Sequence, residues 1–550
     1  MTKNILKVHR ADNVIVALKP LKKGDEISYG DRIIKIQEDI DAKHKFVESD
    51  MHVGDHITMY GVLVGQVIKG IKQGSRISVD NIKHLSSEYQ VLERNLSWEK
   101  PDVAAFEQRN FMGYHRKDGR VGTMNYWLVI PLVFCENRNI TVIQDAMSEQ
   151  LGYASKRQFH VDTQRLINDY NNGVDVDTLL ETDIILDQVA ITSKRVFKNV
   201  DGIKFLKHDG GCGGTRQDSE TLCRLLAGYI AHPNVAGATV LSLGCQNAQI
   251  QLLHDSIDIV APNHGKPIYI LEQQNSKSER DLIATAVKQT FVGLIGANEI
   301  ERRPAPLSKL CIGLECGGSD GFSGITANPS LGYTSDLLVA LGGTTILSEF
   351  PELNGVEQEL INRCVNEESA FKFSNLMKAY SKRAEEVGSG FAFNPSPGNI
   401  KDGLITDAIK SAGAAKKGGT SPVTDVLDYT EQATKPGLNL LCTPGNDVES
   451  TTGMAGSGAN IIVFTTGLGT PTGNPVAPTI KVSTNNILAE RMSDLIDLNA
   501  GTIITGEDTI ESKGRELLEL IIKVASGEVT PKAMALGQDD FIPWKRGIAL

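Results

Sequence analysis

No stretch of this 550-residue chain approaches the run of about 18 uninterrupted apolar residues that a membrane-spanning helix needs. The N-terminus, Met1-Thr-Lys-Asn-Ile-Leu-Lys-Val-His, lacks an apolar segment long enough for a signal peptide. These absences predict a cytoplasmic protein with no membrane partner. Positive charge is also short, with 56 Lys and Arg against 67 Asp and Glu and a net charge of -11. That balance excludes a nucleic-acid partner, whose electrostatic footprint would be basic, and favours a small-molecule substrate. The 8 cysteines are too thinly spread for a disulfide framework, so their expected state is the reduced thiol, available as a metal ligand. There is no P-loop, no H-E-x-x-H, no internal repeat and no low-complexity tract. Gly467, Gly469 and Gly473 form a glycine-rich turn, a pattern too weak by itself to specify a dinucleotide.

What is present is organised in blocks. The length is too great for one core. Residues 1–90 alternate short apolar runs such as Asn13-Val-Ile-Val-Ala-Leu18 and Arg32-Ile-Ile-Lys-Ile36 with turn signals, which predicts a small all-β module. Polar residues 91–105 read as a linker. Residues 106–300 and 301–550 alternate apolar strand-like runs with helical segments, which predicts two α/β units with mainly parallel sheets. Such sheets bind ligands beyond the carboxyl ends of their strands.

The chemistry-bearing residues cluster at those ends. Cys135, Cys212, Cys245 and Cys316 each lie just past a predicted strand, and His208 stands four residues before Cys212. Thiolates suit iron, iron–sulfur clusters and zinc. Three of them at one mouth could hold a cluster with an open iron, fewer with His208 could hold a single iron, or all could simply fill loop corners. The stretch Cys316-Gly-Gly-Ser-Asp-Gly-Phe-Ser-Gly-Ile-Thr-Ala-Asn-Pro329 combines four glycines in nine residues with the polar groups Ser319, Asp320, Ser323, Thr326 and Asn328, a loop suited to a polar ligand. Glu349 and Glu352 form the best carboxylate pair for metal ligation or base work. Arg116 and Arg120 are candidates to clamp a carboxylate. His44 and Lys45, in Lys43-His-Lys-Phe46, are candidates to orient a carboxylate or act as a base, or else form an exposed basic turn.

Several of these segments resemble the altronate and galactarate dehydratase family. His9-Arg-Ala-Asp-Asn13 and His44-Lys-Phe46 are similar to its N-terminal SAF module, and Gly113-Tyr-His-Arg-Lys-Asp-Gly-Arg-Val-Gly-Thr-Met-Asn-Tyr126 to the opening of its central domain. The Cys316–Pro329 loop, Gly342-Gly-Thr-Thr-Ile-Leu-Ser-Glu-Phe-Pro-Glu352, Asn394-Pro-Ser-Pro-Gly-Asn399 and Phe464-Thr-Thr-Gly467 resemble its C-terminal signatures. The resemblance implies dehydration of a sugar acid with ferrous iron; for D-altronate the product is 2-dehydro-3-deoxy-D-gluconate. Galactarate or another aldarate is the alternative substrate, and a non-catalytic sugar-acid binding protein the alternative of another class. Two departures stand out: Met124 replaces an arginine usual in the family, and Val356-Glu-Gln358-Glu replaces a segment that often carries histidine. Oligomeric state is open, a homo-oligomer included.

Overall fold

The computed structural model of the protein describes residues 4–548 except 31, 92–95, 155–158 and 188–193, so part of the predicted linker lies outside the described residues. The N-terminal region is all-β, as its alternating pattern predicts. Val14–Ala17 pairs antiparallel with Ile5–Leu6 and Lys45–Val47, Glu26–Tyr29 with Arg32–Lys35, and Val62–Val67 with His56–Met59 and Ile82–Lys83.

In the central unit, Gly202–Phe205, Tyr126–Pro131, Val235–Ser242 and Ile268–Glu272 lie side by side, all parallel. Their near-continuous apolar sequence reflects burial on both faces. Helices Asn137–Ser148 and Glu279–Ala297 pack on one face through Ile140, Ile143, Leu282 and Ala286. Helices Arg216–Ala231 and Ile250–Val260 pack on the other through Leu222, Leu226, Leu253 and Ile257.

The C-terminal unit is built on seven parallel strands in the order Val423–Leu427, Gly437–Leu441, Thr344–Leu347, Cys311–Cys316, Ile461–Thr466, Thr479–Ser483 and Leu498–Asn499. The chain leaves Cys311–Cys316 toward one edge and returns on its other side at Ile461–Thr466, which makes this strand a topological switch point, where open parallel sheets form ligand crevices. Cys316 is the last strand residue rather than part of the loop. Helix Ala327–Ala340 also starts earlier than the apolar run at Asp336 suggests, so Thr326 becomes its N-cap residue and Asn328 part of its first turn.

The β module is not seated apart. Its Val14, Val16, Ile57 and Val64 belong to the same core as Phe322, Ile325, Leu404 and Ile405 of the C-terminal unit.

Candidate active site at the switch point

Five side chains meet where Cys311–Cys316 and Thr344–Leu347 end. Lys417 Nζ, fully buried, donates to Cys316 Sγ at 2.9 Å and to Glu349 Oε2 at 2.7 Å. Cys316 Sγ lies 3.5 Å from Glu352 Oε2, whose other oxygen is 2.6 Å from Lys410 Nζ. A charge pair removed from water is costly unless each partner is satisfied, and here two lysines balance two carboxylates. Burial pushes Glu349 up to about 7, with the neighbouring Glu352 adding to the rise. Burial acts on Glu352 in the same direction, but Lys410 and Lys417 outweigh it and hold that carboxyl low. The Cys316 thiol is raised well above its usual range by burial, despite Lys417.

Glu349 itself sits at φ 64, a left-handed conformation uncommon for a residue with a side chain. Thr443 holds it there, its Oγ1 accepting from Glu349 N at 2.9 Å and its carbonyl from Phe350 N at 3.2 Å. The strained turn aims one glutamate oxygen at Lys417 and leaves the other, Oε1, buried without a hydrogen bond.

A second carboxylate group adjoins the first. Glu315, Glu349 and Asp447 offer oxygens within 4.8 Å of one another, as do the ligand atoms of Cys316, Glu349 and Glu352; among the described residues no other trio of His, Cys, Asp or Glu does so. Glu315 accepts from Ser450 at 2.7 Å with Oε2, while its Oε1 is unpartnered. Burial raises both Glu315 and Asp447, the latter to about 6. Lys481, buried over the Phe464 ring at 3.4 Å with no hydrogen bond from Nζ, is lowered by burial to about 7. A thiol with two carboxylates is a donor set that a divalent metal could use, although Lys417 now holds Cys316 and Glu349, and Lys410 holds Glu352.

The β module supplies the rest, docked against Asp320, four residues beyond Cys316. Lys43 Nζ is 3.1 Å from Asp320 Oδ2 and 3.4 Å from Asp402 Oδ1; Lys45 Nζ, wholly buried, donates to Gly403 O at 2.7 Å. Burial lowers Lys45 to about 7. His44 donates from Nε2 to Lys401 O at 3.0 Å, leaving Nδ1 buried and unpartnered, and burial lowers its pKa so that the ring is neutral at pH 7. The turn fits because glycines face it: a Cβ on Gly321 would lie 2.6 Å from Lys43 O, and one on Gly403 2.5 Å from the same oxygen. Ser319 bridges the two halves, its Oγ donating to Cys316 Sγ at 3.7 Å and its carbonyl accepting from Asn399 at 2.9 Å.

The structure thus brings together Cys316, Glu349, Glu352, Ser319 and Asp320, with His44 and Lys45 docked beside them. Several candidates are engaged by the protein's own groups or placed elsewhere. Asp320 accepts from Ser323, from Phe322 N and from Asn485, and Ser323 is spent on that turn. Thr326 donates to Phe322 O and Thr484 O, and Asn328 links Gly413 O to Thr465, so both brace the helix start rather than face a ligand. Arg116 is buried with its guanidinium on Pro233 O, Asn125 Oδ1 and Met124 O, and Arg120 is paired with Asp118 and Ala231 O; neither is free to clamp a carboxylate. His208 uses both ring nitrogens, Nε2 donating to Pro131 O at 2.7 Å and Nδ1 accepting from Gly210 N at 3.1 Å, which leaves no lone pair for a metal. Cys135, Cys212 and Cys245 are exposed on the central unit and do not join Cys316.

Lys410, Lys417, Glu315, Asp447, Lys481 and Lys43 are site residues that sequence reasoning missed. A signal existed for two of them: Glu315 and Lys481 interrupt otherwise apolar buried strands, where an ionisable group needs a partner. Lys417 follows a run of small residues, Ser411-Ala-Gly-Ala-Ala, whose close packing is what buries it.

A β module docked over the switch point of a parallel sheet, with an acid–base cluster beneath it, defines a three-part architecture that has known counterparts. Residues 3–85 match the altronate/galactarate dehydratase SAF domain, residues 113–298 the D-galactarate dehydratase/altronate hydrolase second domain, and residues 307–549 the D-galactarate/altronate dehydratase C-terminal domain. The chain belongs to the altronate/galactarate dehydratase family. It is 34% identical over 527 residues to the altronate dehydratase of Bacillus subtilis (strain 168) and 32% over 526 residues to that of Escherichia coli (strain K12), covering 96% of both chains in each case. It is also 32% identical to the galactarate dehydratase (L-threo-forming) of Escherichia coli (strain K12), over 95% of this chain and 93% of that protein.

Proposed function

We propose that the protein is a hydro-lyase that dehydrates a sugar acid, D-altronate foremost and galactarate or another aldarate in second place. The observation that carries this reading is the docking of the Lys43–Lys45 turn of the β module against the Asp320 loop, beside the buried Cys316, Glu349, Glu352 and Lys417 cluster. Loss of water next to a carboxylate requires a base for the α-proton, positive charge for the enediolate that forms, and an acid for the departing 3-hydroxyl. His44 suits the first role, since its neutral ring keeps Nδ1 unpaired. Lys410 and Lys417 supply fixed positive charge in a water-poor site. Lys45, brought by burial to about 7, holds a proton it can give up near neutral pH and suits the acid role.

Cys316, Glu349 and Glu352 would hold ferrous iron, which supplies Lewis acidity toward the carboxylate and hydroxyl oxygens of the substrate. Cytoplasmic location remains part of this reading; among the described residues no helix is long and apolar enough to cross a membrane.

The test is anaerobic assay of the purified chain on D-altronate and galactarate, with and without added ferrous iron, following 2-keto acid formation. Faster turnover of altronate is expected. Turnover of neither substrate would overturn the reading.

A further inference from the structure

We propose that Cys135, Cys212 and Cys245 form an iron–sulfur site on the central unit, distinct from the Cys316 cluster. These three are the exposed cysteines, whereas Cys223, Cys316, Cys364 and Cys442 are buried and Cys311 is partly so. They follow three adjacent parallel strands, Tyr126–Pro131, Gly202–Phe205 and Val235–Ser242, so their loops leave the same end of the sheet. Those loops are stitched to one another: Phe134 N donates to Gly210 O at 3.0 Å, Ala248 N to Gly211 O at 3.1 Å and Leu132 N to Leu241 O at 2.8 Å. His208, freed from the ligand role, is part of the same stitching through Pro131 O, and Asn137 Nδ2 donates to the His208 carbonyl at 2.7 Å.

Glycine makes the approach possible. Gly211 stands at φ 96, and a Cβ there would lie 2.3 Å from Leu132 O and 2.8 Å from Val133 Cα, so a side chain would push the Cys212 loop away from the Cys135 loop. Gly213 is also left-handed, at φ 69, whereas Cys212 between them is not. Alternation of that kind turns successive N–H groups to one side, a backbone concavity used by anions and iron–sulfur clusters.

The donor chemistry selects the occupant. Three thiols are a soft donor set, suited to iron–sulfur clusters, zinc or cuprous ion. A single tetrahedral ion with metal–sulfur bonds of about 2.3 Å would draw its sulfurs to within roughly 4 Å of one another. The three sulfurs do not all lie within 4.8 Å of one another, so as they stand they are not preset for a single tetrahedral ion. On binding, three thiols lose their protons to solvent and three iron–sulfur bonds form, with no change in the oxidation state of the protein. The fourth iron corner is left to an oxygen ligand. Cys212 opens on a cavity of about 180 Å³ also lined by Asp218, Ser219, Tyr429, Trp544 and Lys545, where such a ligand could enter.

The experiment uses the full chain, reconstituted anaerobically with ferric iron, dithiothreitol and sulfide, then desalted. Iron, acid-labile sulfide and visible absorbance are read, so the outcome does not depend on turnover of any sugar acid. Sulfide near stoichiometric with iron is expected in the native chain and in Cys311→Ala and Cys316→Ala, with a several-fold loss in Cys135→Ala, Cys212→Ala and Cys245→Ala. Should these variants fold poorly, alkylation of the native chain decides: the cluster protects Cys135, Cys212 and Cys245 together from iodoacetamide. Iron bound without sulfide, or three thiols alkylated equally before and after reconstitution, would overturn the proposal.

Discussion

Lys417 has no solvent at its ammonium and two groups in its reach, Cys316 Sγ and Glu349 Oε2. Lys417→Met therefore strands the carboxylate rather than merely deleting a contact, and removing one member of a buried pair costs about 3–5 kcal/mol. Urea unfolding at pH 7 is expected to show that loss, while an Arg at the same position, with its charge retained, loses less. His44→Gln keeps a polar side chain but no basic Nδ1, and kcat is expected to fall about 100-fold or more, with the thermal midpoint nearly unchanged. Lys45 gives a pH signature in stability. Its folded pKa is depressed to about 7 from an ordinary value of 10.5, so between those limits the unfolded chain binds the extra proton. Stability contributed at this site therefore rises with pH across that window and is flat below it. Urea titrations at pH 7 and 9.5 are expected to show the native chain gaining on Lys45→Met at the higher pH; an unchanged difference would remove Lys45 as a titrating group.

At the scale of elements, the site depends on a turn of one module fitting a loop of another. Gly321→Ala places a methyl 2.6 Å from Lys43 O, and because that neighbour is backbone, the turn itself must move. Reacting groups misplaced by about 1 Å can cost about 100-fold in rate, so a fall in kcat of that order is expected. Gly296→Ala is the matched control: it lies within helix Glu279–Ala297, a Cβ there meets nothing within 4 Å, and the substitution is expected to stabilise by about 0.5–1 kcal/mol with rate unchanged. A similar rate loss in both variants would show that the Lys43 turn has no special part. The elements involved were legible to different degrees. Tyr126–Pro131 and Cys311–Cys316 are visible as apolar runs ending in polar loops, and Glu349 with Glu352 as a strand-end pair. Arg116 and His208 misled because a loop position says nothing of whether a side chain turns outward or is consumed by carbonyls of its own neighbours. Lys410 and Lys417 were hidden because their partners lie 58 and 68 residues away in sequence, a distance no local pattern spans.

Across the whole molecule, the sequence shows three blocks but not how they share their interiors. The polar stretch after residue 84 suggests a detachable β module, yet Val14 and Val64 share a core with Phe322 and Leu404. A second core joins Leu128 and Val240 of the central sheet to Ile346, Leu441 and Ile462 of the C-terminal sheet. The C-terminal unit is thus covered by both other parts, and neither apolar face could remain exposed without inviting association. Opening either interface strips apolar area at about 25 cal/mol per Å², which couples the parts energetically. Unfolding is therefore expected to be one cooperative transition despite the length of the chain. Single-tryptophan forms make this measurable, since Trp127 is buried in the central unit and Trp544 packs edge-to-face against Tyr429 in the C-terminal unit. Urea midpoints from Trp127 fluorescence, Trp544 fluorescence and far-ultraviolet dichroism are expected to coincide, because each of the three parts loses one of its cores when its neighbour leaves. Well-separated midpoints would mean that the shared cores contribute less than the sheets they join.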